Sequence, residues 1–389
     1  MTHIERYLIF LPLILVFIDI ILSVILPRFK TSLAVFFTAA VCTAFGVLYA
    51  KGAPVVISGF TLSSFSAAAA CAVILMSALS GNKNFKPLFV FVFCALISLY
   101  TDIPALKTAS FAGAGFALLF LSGISRELQA QKAFYAAGSV IFFGLNGGVF
   151  FQTIGFFFAL ASSNAALITC KREVLPKASG TAMAAGLLFE FITISGLAAG
   201  LNKFAAAAAV IFYIIFALYS TVTSEDGREF FFGSAVSMMF LLLYGILFTP
   251  AAQLILKAGI VYYCVFFTVY ALLESDKQEF NVTALKFRAD ELKKPFAPAA
   301  LVFITLAAEI FILTIISLNP ADNQFLQAAG YLVIAAYGVC AVNDLITALG
   351  ISSRLNRNML KGIFASSGIF KFIVVSGCFI YIFFFGGAL

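Results

Sequence analysis

Along this chain, apolar runs alternate with short polar clusters, and a run of about 20 apolar residues crosses roughly 30 Å of hydrocarbon as a helix. On that period the sequence predicts fourteen helices, over 7–27, 31–50, 55–80, 86–101, 104–124, 132–154, 156–175, 178–200, 204–222, 229–249, 252–273, 297–318, 326–350 and 362–386. No stretch between them is long enough for a folded soluble domain. The longest polar segment, 274–295, is expected to be a loop or an interfacial helix. The first run reads as a retained span, because no small-residue cleavage site follows it.

Charge placement tests this map, since lysine and arginine collect in cytoplasmic loops. Of the 24 basic residues, 18 fall in connections after odd-numbered spans, 5 in the N-terminus and even-numbered connections, and Lys371 lies inside the last span. The alternation predicts an even number of spans with both termini outside. One missing or extra helix in the middle would scramble it.

Composition agrees with a polytopic membrane protein: 63% of residues are hydrophobic, 11% are charged and the mean hydropathy is +1.09, against roughly 25% charged residues in soluble domains. The net charge of +7 is then a record of topology, and nucleic acid is not an expected partner. The seven cysteines lie in or beside apolar runs, with no CxxC pair, so neither disulfides nor a metal site is expected. His3, at the N-terminus, is the sole histidine. Any proton path through the membrane must therefore use acids and lysines.

Ionisable residues inside or at the ends of the spans are Asp19, Lys132, Lys171, Glu190, Lys257, Glu309, Asp344 and Lys371. Placing such a group at bilayer depth costs roughly 2.5–3.5 kcal/mol on insertion scales, and those that persist face a protein interior or a watered path. Lys132, Lys171 and Lys257 lie near enough to a span end to snorkel to the interface. Asp19 and Lys371 are single charges that neighbouring polar groups could satisfy. Glu190, Glu309 and Asp344 sit deeper and are the stronger functional candidates. Lys171 and Pro176, five residues apart in "KREVLPKASG", mark either a plain loop or a working break, because proline removes a backbone donor that must then be met by protein or water.

Several stretches together resemble one family. "LPLILVFIDIILSVILPRFK", "VVISGFTLSSFSAAAACAVILMSALSG", "RELQAQKAFYAAGSVIFFGLNGGVFFQTIGF", "EDGREFFFGSAVSMMFLLLYGIL" and "AGIVYYCVFFTVYALLES" occur in the order and spacing of the antiporter-like membrane subunits of complex I-type assemblies. Among these they are most similar to the subunit N group of bacterial NADH:quinone oxidoreductase. The resemblance implies an all-α fold of fourteen helices in which helices 7 and 12 are broken in mid-membrane. It implies inverted five-helix repeats over 86–200 and 204–350, preceded by three helices in 1–85 and followed by a last helix in 351–389. It places Lys132 and Lys171 on family lysines, with Pro176 at the break. The same comparison puts apolar Phe111 where the family has a glutamate, and Ile194 and Leu318 near two of its lysines.

From this follow the functional expectations: a membrane-arm subunit of a redox-driven proton pump, such as a respiratory dehydrogenase or membrane-bound hydrogenase, in a bacterial inner membrane. Protons would pass by Lys132, Lys171, Glu190, Glu309 and Asp344. Redox chemistry and all cofactors would belong to partner subunits of the same membrane arm and its attached complex. A scaffold that has lost pumping is the degenerate form of this reading. The alternative class is a stand-alone secondary transporter or lipid-linked-saccharide flippase, in which internal repeats and many helices also occur.

Overall fold

The computed structural model describes residues 10–25, 54–79, 85–121, 150, 153–161, 179–197, 201–222, 227–275, 282–283, 286–287, 296–321 and 323–352. The expected spans over 31–50 and 362–386, and most of those over 132–154 and 156–175, lie outside them. The described structure is mostly helical and falls into two units, one containing residues 1–162, 175–194 and 377–389, the other 163–174 and 195–376.

The first unit contains α1 (Leu11–Ile25), a hairpin of β1 (Val55–Ile57) and β2 (Phe60–Leu62), α2 (Ser64–Leu79), α3 (Phe85–Tyr100), α4 (Pro104–Leu121), a helical stretch over 153–161 and α5 (Ser179–Leu197) as far as Ile194. The hairpin corrects the expectation of a helix over 55–80. Val55, Val56 and Ile57 are β-branched and pair with Leu62, Thr61 and Phe60. Between them Ser58 and Gly59 take φ of 48° and 82°, the two left-handed positions that a tight hairpin turn demands. The helix begins only at Ser64, where Ser66 N–H donates to Ser63 Oγ (3.0 Å) and Ser63 N–H to Ser66 Oγ (2.9 Å). This reciprocal cap satisfies donors that a helix start leaves open.

The hairpin tip fixes the connection between α3 and α4. Gly59 O accepts from Asp102 N–H (2.8 Å) and from the Thr101 hydroxyl (3.2 Å), and the Thr61 hydroxyl bonds the Asp102 carboxylate. A Cβ on Gly59 would lie 2.6 Å from Ile103 Cγ1, so glycine is required there for space as well as for φ. Residues 54–63 and 101–103 thus meet at one end of this unit. That is what alternating spans require of connections two and four.

Among its described residues the second unit holds five helices long and apolar enough to cross a membrane: α6 (Lys203–Val222), α7 (Gly227–Phe248), α8 (Ala252–Ser275), α9 (Phe296–Leu318) and α10 (Gln324–Ser352). Each coincides with an expected span. α7 packs against α6, α8 and α9 and is buried along nearly its whole length, which explains why its sequence is apolar all round. Its Gly245 lets α8 come close, since a Cβ there would meet Ile255 Cδ1 at 2.7 Å; small residues serve this purpose in lipid, where close backbone packing holds helices together. Asn202 caps α6 through Phe204 N–H (3.0 Å), and Asn323 caps α10 through Phe325 N–H (2.9 Å), ordinary uses of a short polar side chain before a helix.

In the polar segment 274–295, α8 ends at Ser275 and β3 (Val282–Thr283) pairs with β4 (Lys286–Phe287), a short hairpin consistent with the loop alternative. One further expectation changes here: the twelfth expected helix is not broken, since α9 runs unbroken over 23 residues. Its one proline, Pro298, sits in the first turn, where the missing N–H is free of charge, and no glycine or proline follows before Leu318. The Thr314 hydroxyl turns back to Ile310 O at 2.7 Å, inside the same continuous helix. The expected break at Pro176 lies outside the described residues.

Candidate functional site

The deepest polar group of the second unit is Glu309, on α9 and 5% exposed. Thr305, one helical turn earlier and equally buried, lies 3.5 Å through its hydroxyl from the Tyr262 hydroxyl of α8. Tyr337, on α10 and fully buried, has Glu309, Tyr262 and Cys340 as electrostatic neighbours. The Tyr337 hydroxyl donates to Ser237 O of α7 at 2.6 Å and lies 2.9 Å from Ser237 Oγ. A phenol has one proton, and it is committed to the carbonyl. The Ser237 hydroxyl is therefore the donor in the second contact. Four helices thus converge on one carboxyl and four hydroxyls.

The same helices are tied at other depths by tyrosines. Tyr263 donates to Ala235 O (2.9 Å), and Tyr244 donates to Leu326 O (2.8 Å). Interhelical hydrogen bonds of this kind contribute about 0.6 kcal/mol each in a bilayer, up to about 1.7. The difference at Ser237 and Tyr337 is the neighbouring carboxyl, which can gain and lose a proton among groups that can both donate and accept one. Such a cluster supports proton exchange without any metal, and no cluster of His, Cys, Asp or Glu able to hold a metal occurs among the described residues.

In the first unit, Glu190 on α5 is 1% exposed. Its neighbour Phe189 packs its ring 5.9 Å from Phe91 of α3 and 5.5 Å from Phe111 of α4. The position at which the family resemblance would put a glutamate thus carries a ring built into an aromatic contact. Asp19 on α1 is also buried, and its Oδ2 has no hydrogen-bond partner among the described residues.

The structure therefore places Glu190 and Glu309 in buried positions, in different units. Asp344 lies on α10, two turns beyond Tyr337, with its side chain outside the described residues. Lys132, Lys171 and Pro176 lie outside them altogether. Sequence reasoning missed Ser237, Tyr262, Thr305 and Tyr337. The i, i+4 spacing of Thr305 and Glu309 was the available signal, because it puts both on one face of a helix.

No family model matches the chain, and no curated protein matches it. Solved structures do. A chain of respiratory complex I from Thermus thermophilus with bound aureothin superposes with a TM-score of 0.67 at 11% identity, covering 96% of each chain. The fold is that of a complex I-like membrane subunit. A chain of the membrane-bound sulfane sulfur reductase, an archaeal respiratory membrane complex, matches with a TM-score of 0.60 at 12% identity over 98% of this chain and 95% of that one. A chain of Thermus thermophilus complex I with bound NADH gives 0.56 at 15% identity, over 97% and 99%. At such identities the agreement is one of fold, and it extends over nearly the full length of both partners.

Proposed function

We propose that this protein is a membrane-arm subunit of a complex I-like, redox-driven proton pump, closest in kind to subunit N of bacterial NADH:quinone oxidoreductase or its counterpart in a membrane-bound hydrogenase. The observation that carries the reading is Glu309 buried among the hydroxyls of four helices, in a chain whose whole length follows respiratory-complex neighbours. Glu309 takes up and releases the transferred proton, with Lys132, Lys171, Glu190 and Asp344 as the other carriers and Pro176 opening the seventh helix. The protein spans a bacterial inner membrane with fourteen helices in two inverted repeats and both termini outside. It binds no cofactor itself. Electron transfer occurs in partner subunits, whose conformational or electrostatic changes drive the carboxyls and lysines here.

One observation favours a second reading. The continuous α9 and the ring of Phe111 in its aromatic contact stand where a pumping relative would need a break and a glutamate, as a scaffold that no longer pumps would have them.

The test is purification of the tagged chain from its native membrane in mild detergent, with mass spectrometry of the associated proteins. Iron–sulfur, flavin or nickel–iron subunits in the eluate support the membrane-arm reading. A stable, solitary chain overturns it in favour of a stand-alone transporter or flippase. In the recovered complex, Lys171→Ala abolishes proton translocation if the subunit pumps and leaves it unchanged if it is a scaffold.

A further inference from the structure

A notch of about 20 Å3 opens where α7 ends, α9 ends and α10 begins. A cavity needs roughly 10–15 Å3 and two to four polar partners to hold one water molecule, and both conditions are met here. On its wall stand Tyr244, Thr249, Ser317, Gln327 and Tyr331. The hydroxyls of Tyr244, Thr249 and Ser317 donate to Leu326 O, Gly245 O and Thr314 O, so toward a guest they accept. The Tyr331 hydroxyl accepts from Gln327 Nε2 (3.2 Å), and its own proton remains to donate. A water molecule, with two protons to give and lone pairs to receive, fits that set; an anion without protons does not.

The notch and the cluster around Glu309 lie on the same faces of the same three helices. On α7 the step between them is from Tyr244 to Ser237, on α9 from Ile316 to Glu309, and on α10 from Gly330 to Tyr337. Each step is seven residues, two turns or about 10.5 Å along a helix axis. Halfway along, three or four residues from either end and so on the same faces, stand Leu241, Ile312 and Ile334. Leu241 and Ile312 are fully buried, and Ile334 forms part of the notch wall. Two polar layers are thus separated by one apolar layer about a single turn thick.

We propose that Leu241, Ile312 and Ile334 form a dry gate between the Glu309 cluster and the aqueous side onto which the α9–α10 connection opens, with water held in the notch as the outer station for protons. The gate is closed in this structure, because the apolar layer offers a proton no group to bind, and it conducts only while water bridges that single turn. This role rests on Glu309 being a proton carrier, and it supplies the route and the barrier that such a carrier needs.

The test is passive proton conduction in liposomes by the full chain with whatever subunits accompany it, with no electron donor present. A pH difference is imposed, and potassium with valinomycin balances the charge. Wild type holds the gradient. Ile334→Ser, which puts a hydroxyl into the dry layer, raises the leak about tenfold, the effect of roughly 1.4 kcal/mol on a barrier. Ile312→Thr does the same from α9, so one poorly assembling variant does not leave the question open. Val339→Ser, a similar change on the outward side of α10 (73% exposed), stays at the wild-type level. Adding Glu309→Gln to Ile334→Ser abolishes the leak. Wild-type tightness in both gate variants, an equal leak in Val339→Ser, or a leak that persists without Glu309 overturns the gate. The reading of Glu309 as carrier fails separately, by redox-driven translocation that survives Glu309→Gln in an otherwise unaltered chain.

Discussion

Glu190 and Glu309 are both deep in their respective units, and the packing next to each differs in kind. Beside Glu190, the rings of Phe91, Phe111 and Phe189 interlock. Around Glu309, Thr305, Tyr262, Tyr337 and Ser237 supply hydroxyls from four helices. A carboxyl among hydroxyls has several groups that donate and accept a proton, whereas interlocked rings hold helices together. The contrast teaches that burial alone says little about how a carboxyl is served: the contacts described around Glu309 offer proton exchange, and the ring contacts made by the neighbour of Glu190 offer rigidity.

The sharpest way to break this comparison is Glu309→Gln, which keeps volume and hydrogen bonding but removes the titratable proton. In the assembled complex, electron transfer continues while proton translocation, followed in sealed vesicles by a pH-sensitive dye, falls by an order of magnitude or more, since each roughly 1.4 kcal/mol of lost carrier function is tenfold in rate. If translocation survives Glu309→Gln, the hydroxyl cluster is not part of the proton path. Next in size is Phe189→Ala. Removing a ring packed against two others leaves a cavity and costs about 3–5 kcal/mol, seen as a large drop in thermal midpoint, with no specific effect on the ratio of protons to electrons in whatever folds.

Much of this arrangement was legible beforehand. The five spans of the second unit follow from uninterrupted apolar runs bounded by Asn202, Pro250 and Asn323, and Glu190 and Glu309 stood out because a carboxylate deep in such a run is costly to place. The hairpin at 55–62 was hidden for a physical reason. Its Val and Ile are as apolar as a span, so hydropathy merged them with the helix behind, while the Ser58–Gly59 turn and the Ser63 cap, which separate the two, are local backbone signals. The hydroxyl cluster was illegible for another reason. Ser237 and Tyr337 are 100 residues apart, and a lone serine or threonine in an apolar helix usually bonds its own preceding turn, as Thr268 and Ser234 do here.

Smaller effects sharpen the comparison from the other side. Tyr337→Phe deletes the phenol that bridges α10 to the Ser237 carbonyl and hydroxyl. Loss of stability is about 0.6–1.7 kcal/mol, the range of interhelical hydrogen bonds in membranes, read as a modest fall in thermal midpoint in detergent. Translocation should fall further than that stability loss explains, because Glu309 loses one of its hydroxyl neighbours.

Ser63→Ala is the smallest change and the cleanest control. It removes the oxygen that accepts from Ser66 N–H, and with it one half of the reciprocal cap at the start of α2. Losing such a cap costs about 1 kcal/mol, comparable with the loss in Tyr337→Phe, but in the first unit and far in sequence from any carboxyl of the cluster. The two variants therefore separate general destabilisation from local chemistry. If both lower the thermal midpoint by similar amounts and only Tyr337→Phe slows proton translocation, the hydroxyl acts on Glu309. If both slow it equally, the cluster around Glu309 is packing, and the distinction between the two regions disappears.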